Sequence, residues 1–117
     1  MAERGASLEE VKRVAQKTID NIRTMGVSLS SCTLPSAEKE NFVLEEKMME
    51  IGMGIHGEKG IHRGELVSSK EIAKILLKHI MEDYDYSNSE VALLVNGLGS
   101  TPLMELYVLN NDVRNLL

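Results

Sequence analysis

The sequence predicts an α/β domain, a small mixed β-sheet covered by helices, and three observations lead there. Two Ser-x-x-Glu capping boxes each open a stretch with apolar residues at helical spacing. Short β-rich or alternating runs separate these stretches. Helical and strand-like segments succeed one another along 117 residues, with no internal repeat and no low-complexity tract. That alternation argues for helices packed on a sheet, and the length sets one domain, residues 1–117, as the ceiling.

In chain order, Ser7-Leu-Glu-Glu10 is the first capping box, with Leu8, Val11, Ala15, Thr18, Ile22 and Met25 following at helical spacing. A helix is expected over 8–24, ended by Gly26. Residues 27–34 read as a half-buried strand stopped by Pro35, and 36–47, with four Glu and two Lys, as a mostly exposed connector in which Phe42 and Leu44 either pin the chain or form a short strand. Residues 50–56 alternate, Ile51, Met53 and Ile55 on one face and Gly52, Gly54 and His56 on the other. The second face carries no side chain until the imidazole, and glycine inside a strand weakens it unless something must approach the backbone. Ser68-Ser-Lys-Glu71 opens a second helix through about residue 82, with Ile72, Ile75, Leu76, His79 and Ile80 as its apolar stripe. A polar loop, 83–89, leads to Val91-Ala-Leu-Leu-Val95, expected as a strand covered on both sides. Asn96-Gly-Leu-Gly-Ser-Thr-Pro102 then turns the chain into a last helix with Pro102 in its first turn. That helix reaches the terminus without a stop signal, so the chain is expected to be cut from something longer.

Composition narrows the function classes. With 43% hydrophobic but only 3% aromatic residues, the core must be aliphatic; Phe42, Tyr84, Tyr86 and Tyr107 are the only rings. A formal charge of −5 disfavours a nucleic-acid or anionic-membrane surface. A single cysteine, Cys32, excludes an internal disulfide framework and a Cys-rich zinc site, and suits the cytoplasm. No apolar run approaches the roughly 18 residues of a spanning helix, and the charged start lacks the pattern of a signal peptide.

Chemistry concentrates in Gly52-Met-Gly-Ile-His-Gly-Glu-Lys-Gly60, which places an imidazole at a strand end between glycines. Neutral imidazole, the main form for an ordinary pKa of about 6.5, can attack a carbonyl carbon. The alternative is a tight turn with His56 as a surface loop residue. His56, Glu58 and His62 are possible metal ligands, but their spacing matches no strong metal motif. His79 reads as a core or interface histidine and Cys32 as a small strand residue. The Asn96–Pro102 turn resembles an anion-binding loop but lacks the lysine of a Walker A loop, so a catalytic ATP site is not expected in it.

Met49-Glu-Ile-Gly-Met-Gly-Ile-His-Gly-Glu-Lys-Gly-Ile61 and Val91-Ala-Leu-Leu-Val-Asn-Gly-Leu-Gly-Ser-Thr-Pro-Leu-Met-Glu-Leu-Tyr107 resemble the substrate-binding subunit or domain of dihydroxyacetone (glycerone) kinases. Arg23-Thr-Met-Gly-Val-Ser-Leu-Ser-Ser-Cys-Thr-Leu-Pro35 resembles the segment preceding them in that family. The resemblance runs over nearly the whole chain in the family's order. It implies an incomplete part of a two-domain fold, since the family's N-terminal Gly-Ser-Gly-His-Glu-Pro region and its C-terminal closing stretch have no counterpart here. It implies that His56 binds the ketone covalently as a hemiaminal, discriminating carbonyl compounds from glycerol and holding the hydroxyl for phosphoryl transfer. The family's acid/base His and Asp belong to the missing N-terminal region. ATP and Mg2+ are expected on a separate nucleotide-binding domain or subunit, with no cofactor on this chain. The family commonly carries Pro where this chain has Lys59, a departure that leaves His56 in place.

The resemblance therefore implies part of a cytoplasmic, homodimeric dihydroxyacetone kinase that converts dihydroxyacetone to its phosphate. The fragment alone is expected to be inactive. Two other classes use related folds: a non-catalytic sensor that reports the ketone to a transcription regulator, and a carrier of fatty acids or lipids.

Overall fold

The computed structural model describes residues 1–31, 42–54 and 58–117. A short 3-10 helix, Ala2–Arg4, precedes α1 (Leu8–Asn21), followed by β1 (Val27–Ser28), β2 (Met48–Ile51), β3 (His62–Glu65), α2 (Ser69–Asp83) and α3 (Leu103–Arg114). The strands form one sheet in the order β1-β2-β3. Both pairings are antiparallel, with Val27 opposite Ile51 on one side of β2 and Glu50 opposite Arg63 on the other. The expected α/β class, helices on a small sheet, stands.

Both helix starts follow the capping residues. Ser7 Oγ accepts the Glu10 N–H at 3.2 Å, and Ser68 Oγ accepts the Glu71 N–H at 3.3 Å. The reciprocal half of each box is replaced by ion pairing within the helix, Glu10 with Arg13 at 2.7 Å and Glu71 with Lys74 at 2.6 Å. Helix α1 ends at Asn21, earlier than expected, because side chains satisfy its last carbonyls. Arg23 Nη1 donates to the Ile22 and Asp20 carbonyls at 2.8 and 3.2 Å, and the Tyr86 hydroxyl donates to the Asn21 carbonyl at 2.9 Å.

One face of β2 builds the core. Met49 and Ile51 are 3% and 1% exposed, and Ile72 and Leu76 of α2 close over them. Met25, Val27, Ile75 and Leu109 pack around that cluster, Leu109 bringing α3 onto it. Burying an aliphatic side chain of this size contributes about 1.5–3 kcal/mol, so few residues carry much of the stability.

The opposite face of β2 carries Glu50, only 2% exposed. Arg63, directly across on β3, donates Nε to its Oε2 at 2.9 Å, and the Gly60 N–H donates to Oε1 at 2.6 Å. These donors, Arg63 foremost, hold the carboxyl below the ordinary glutamate range.

Three expected strands are corrected. The strand expected over 50–56 is Met48–Ile51, since Gly52 adopts φ 77° and turns the chain out of the ladder. Of the strand expected over 27–34, Val27–Ser28 pair and residues 29–31 do not, while Cys32, Thr33 and Leu34 lie outside the described residues. Residues 91–95 form no strand: they pair with none of the described strands, and Leu94 is 87% exposed. A doubly covered strand needs a hydrogen-bonded neighbour and burial on both faces, and this segment has neither among the described residues. Strand β3 carries no strand signal in its sequence, because His-Arg-Gly-Glu has no apolar alternation.

Ile51→Ala should destabilise the folded protein by about 2–5 kcal/mol through lost burial and a residual cavity, read as a lower urea midpoint. The Glu50 carboxyl holds its proton less tightly folded than unfolded. Its contribution is therefore complete above the unfolded value of about 4.3 and is lost as pH falls through the lower folded value. Glu50→Gln should melt lower at neutral pH and show a flatter acid limb in thermal scans between about pH 5 and pH 2.

Candidate functional site

The connection between β2 and β3, residues 52–61, contains the histidine singled out by sequence. Ile55, His56 and Gly57 themselves lie outside the described residues. The backbone on either side of them is held at several points. Gly52 donates its N–H to the Gly26 carbonyl at 2.8 Å, tying the connection to the start of β1. Ile61 donates to the Ile51 carbonyl at 2.8 Å, extending the hairpin ladder by one rung. Gly54 donates to the Glu58 carbonyl at 3.1 Å, drawing together the two residues that flank 55–57. Gly60 returns against β2 so closely that a Cβ there would collide with the Ile51 carbonyl oxygen and come within 2.8 Å of Glu50 Cγ. The glycines at 52 and 60 are thus required by a positive φ and by a close approach respectively.

On the core face of the sheet, a groove of about 600 Å³ opens between β3 and α2. Met49, Ile51 and Ile75 form its apolar wall, with His62 and His79 at its polar edge. Gly64, opposite Met49 in the ladder, lines it as well, with the His62 imidazole lying over that glycine. His79 Nδ1 lies 3.9 Å from Glu82 Oε2, so this histidine of the expected apolar stripe is a rim residue. Among the described residues no three His, Cys, Asp or Glu side chains gather as a metal site. Of the weak ligand trio, Glu58 and His62 are described and His56 is not.

The turn before α3 adopts φ 49° at Leu98 and φ 110° at Gly99, and Pro102 caps α3 without a side-chain hydrogen bond. This is the tight turn expected there, although it follows an unpaired segment instead of a strand. Cys32 lies outside the described residues. Sequence reasoning missed Glu50, Gly60 and Arg63 as a unit. The available signal was an acid enclosed by Met48, Met49 and Ile51, since a buried carboxylate requires a partner.

The family model described as the Dak1 domain matches residues 1–117. The dihydroxyacetone-binding subunit DhaK of a PTS-dependent dihydroxyacetone kinase from Listeria innocua is 45% identical over 99% of this chain, which covers 36% of that relative. The chain thus spans about a third of the length of the curated relatives it matches. Among solved structures, a dihydroxyacetone kinase operon co-activator, DhaQ, superposes with a TM-score of 0.86 at 36% identity, covering 98% of this chain and 36% of the other. The dihydroxyacetone kinase of C. freundii superposes with a TM-score of 0.85 at 29% identity, covering 97% of this chain and 21% of the other. Its complex with AMP-PNP and Mg2+ superposes at 0.80 and 29% identity, over 96% of this chain and 21% of that one. Matched from its first residue to its last, with a glycine-framed β2–β3 connection at its centre, the chain belongs to the Dak1 domain family.

Proposed function

We propose that this chain is part of the substrate-binding unit of a dihydroxyacetone kinase and that His56 binds dihydroxyacetone covalently as a hemiaminal. The observation that carries the reading is the match of residues 1–117 to the Dak1 domain model, supported by 45% identity to a dihydroxyacetone-binding subunit. The frame of hydrogen bonds around residues 52–61 adds support, because a nucleophile must be held to attack one face of a small ketone. In the step itself, a ring nitrogen donates its lone pair to the carbonyl carbon and a C–N bond forms. The C=O π pair moves to oxygen, which gains a proton as the ring gives one up. No oxidant or reductant is involved. On this reading the acid/base pair lies elsewhere in the kinase, and ATP and Mg2+ sit on a separate nucleotide-binding domain or subunit. The whole assembly is a cytoplasmic homodimer.

A second reading has an observation of its own. The co-activator DhaQ superposes on this chain with a TM-score of 0.86, so the same fold could serve a ketone sensor that transfers no phosphoryl group.

In the whole kinase, dihydroxyacetone should add reversibly to His56, visible by intact-protein mass spectrometry after trapping, with affinity falling below about pH 6 as the imidazole takes a proton. His56→Ala should abolish the adduct, whereas His62→Ala and His79→Ala should keep it. An adduct that survives His56→Ala defeats the reading. Residues 1–117 alone, given ATP and Mg2+, should show no turnover above background. Phosphoryl transfer by the whole protein with its nucleotide-binding partner supports the kinase, and adduct formation without transfer supports the sensor.

A further inference from the structure

Glu50 divides its carboxylate between two structures. Oε2 receives Arg63 Nε at 2.9 Å, a bond the strand register explains, since the two residues face each other across β2 and β3. Oε1 receives the Gly60 N–H at 2.6 Å, which register does not explain, because Gly60 precedes β3 and belongs to the connection. Arg63 is seated in turn by its Nη1, which donates to the Val43 carbonyl at 3.2 Å, and its side chain is 46% exposed. The Gly60 backbone closes onto the Ile51 carbonyl with no room for a Cβ.

We propose that Glu50, oriented by Arg63, is a positioning residue for the ketone-binding connection. It fixes Gly60 against β2, and with the Gly54-to-Glu58 closure it sets the backbone frame on both sides of the segment bearing His56. The proposal rests on the reading of His56 given above. A pair serving only the sheet would be replaceable by apolar side chains of similar volume, because a buried ion pair exchanged whole for well-packed hydrophobics is often neutral or stabilising. A pair that serves the connection would not be, since the Gly60 N–H needs an acceptor.

The test compares two double variants in the whole protein, Glu50→Met with Arg63→Met and Glu50→Gln with Arg63→Met. Both remove the ion pair, and only the second keeps an acceptor oxygen for Gly60. The Met/Met protein should melt no lower than the Gln/Met protein yet bind dihydroxyacetone about tenfold to a hundredfold more weakly. Its KM for the ketone should rise while its KM for the phosphoryl donor stays unchanged, and the Gln/Met protein should recover most of the affinity. Amide hydrogen exchange at Gly60 and Ile61 in ligand-free protein should be faster in Met/Met than in Gln/Met. Equal exchange in the two overturns the proposal, as does equal ketone affinity. If the unmodified protein forms no adduct, the reading of His56 fails on its own, and the exchange comparison still decides whether Glu50 sets the connection.

Discussion

A carboxylate withdrawn from water must be met by donors placed to receive it, and in this chain that requirement falls on Glu50 in the central strand. Much of the sheet follows from how it is met. His-Arg-Gly-Glu has little intrinsic preference for extended structure, yet it forms β3 because Arg63 there stands directly across from Glu50. Gly60 must be glycine because the chain comes back close enough to give its N–H to the same carboxylate. Gly64, the residue after Arg63, falls on the other face and lines the groove beside α2. The charged face of β2 thus organises the connection while the apolar face organises the core.

The helices were legible because their signals are local. A capping serine and a stripe of apolar residues are written within one segment, and Ser7, Ser68, Ile72 and Leu76 act in the structure as their spacing implies. The strands were less legible because a strand is half of a pair. Residues 91–95 are apolar enough to be covered, but apolarity does not supply a neighbour, and they remain unpaired. Residues 62–65 look like a loop and become a strand through pairing alone. At the candidate site, the glycine-flanked histidine was conspicuous in sequence, whereas Glu50 and Arg63 lie thirteen positions apart and meet only through the hairpin register. The family resemblance, carried by long motifs, agrees with the match to the Dak1 domain.

Cohesion beyond the sheet comes from two different sources. Helix α2 is anchored by apolar burial through Ile72, Ala73 and Leu76. Helix α1 has no buried residue among those described, and its end is held by polar contacts. Arg23 pairs with Asp83, and the Tyr84 hydroxyl meets the Asn21 side chain at 2.8 Å. Contacts of this kind are directional and exposed to solvent, so they set an orientation more than they add stability.

That clasp gives the molecule a built-in optical signal. The chain has no tryptophan and three tyrosines. Two of them, Tyr84 and Tyr86, sit with ring centroids 4.6 Å apart, and the Arg23 guanidinium lies 4.9 Å from the Tyr84 centroid. Tyr107 is largely exposed on α3. Near-ultraviolet dichroism, which needs rings held in a fixed asymmetric setting, therefore originates chiefly where α1 meets the end of α2, and scarcely at all from the aliphatic core. A spectroscopist following these bands would watch the first helix come loose, while the sheet and its buried carboxylate stayed dark.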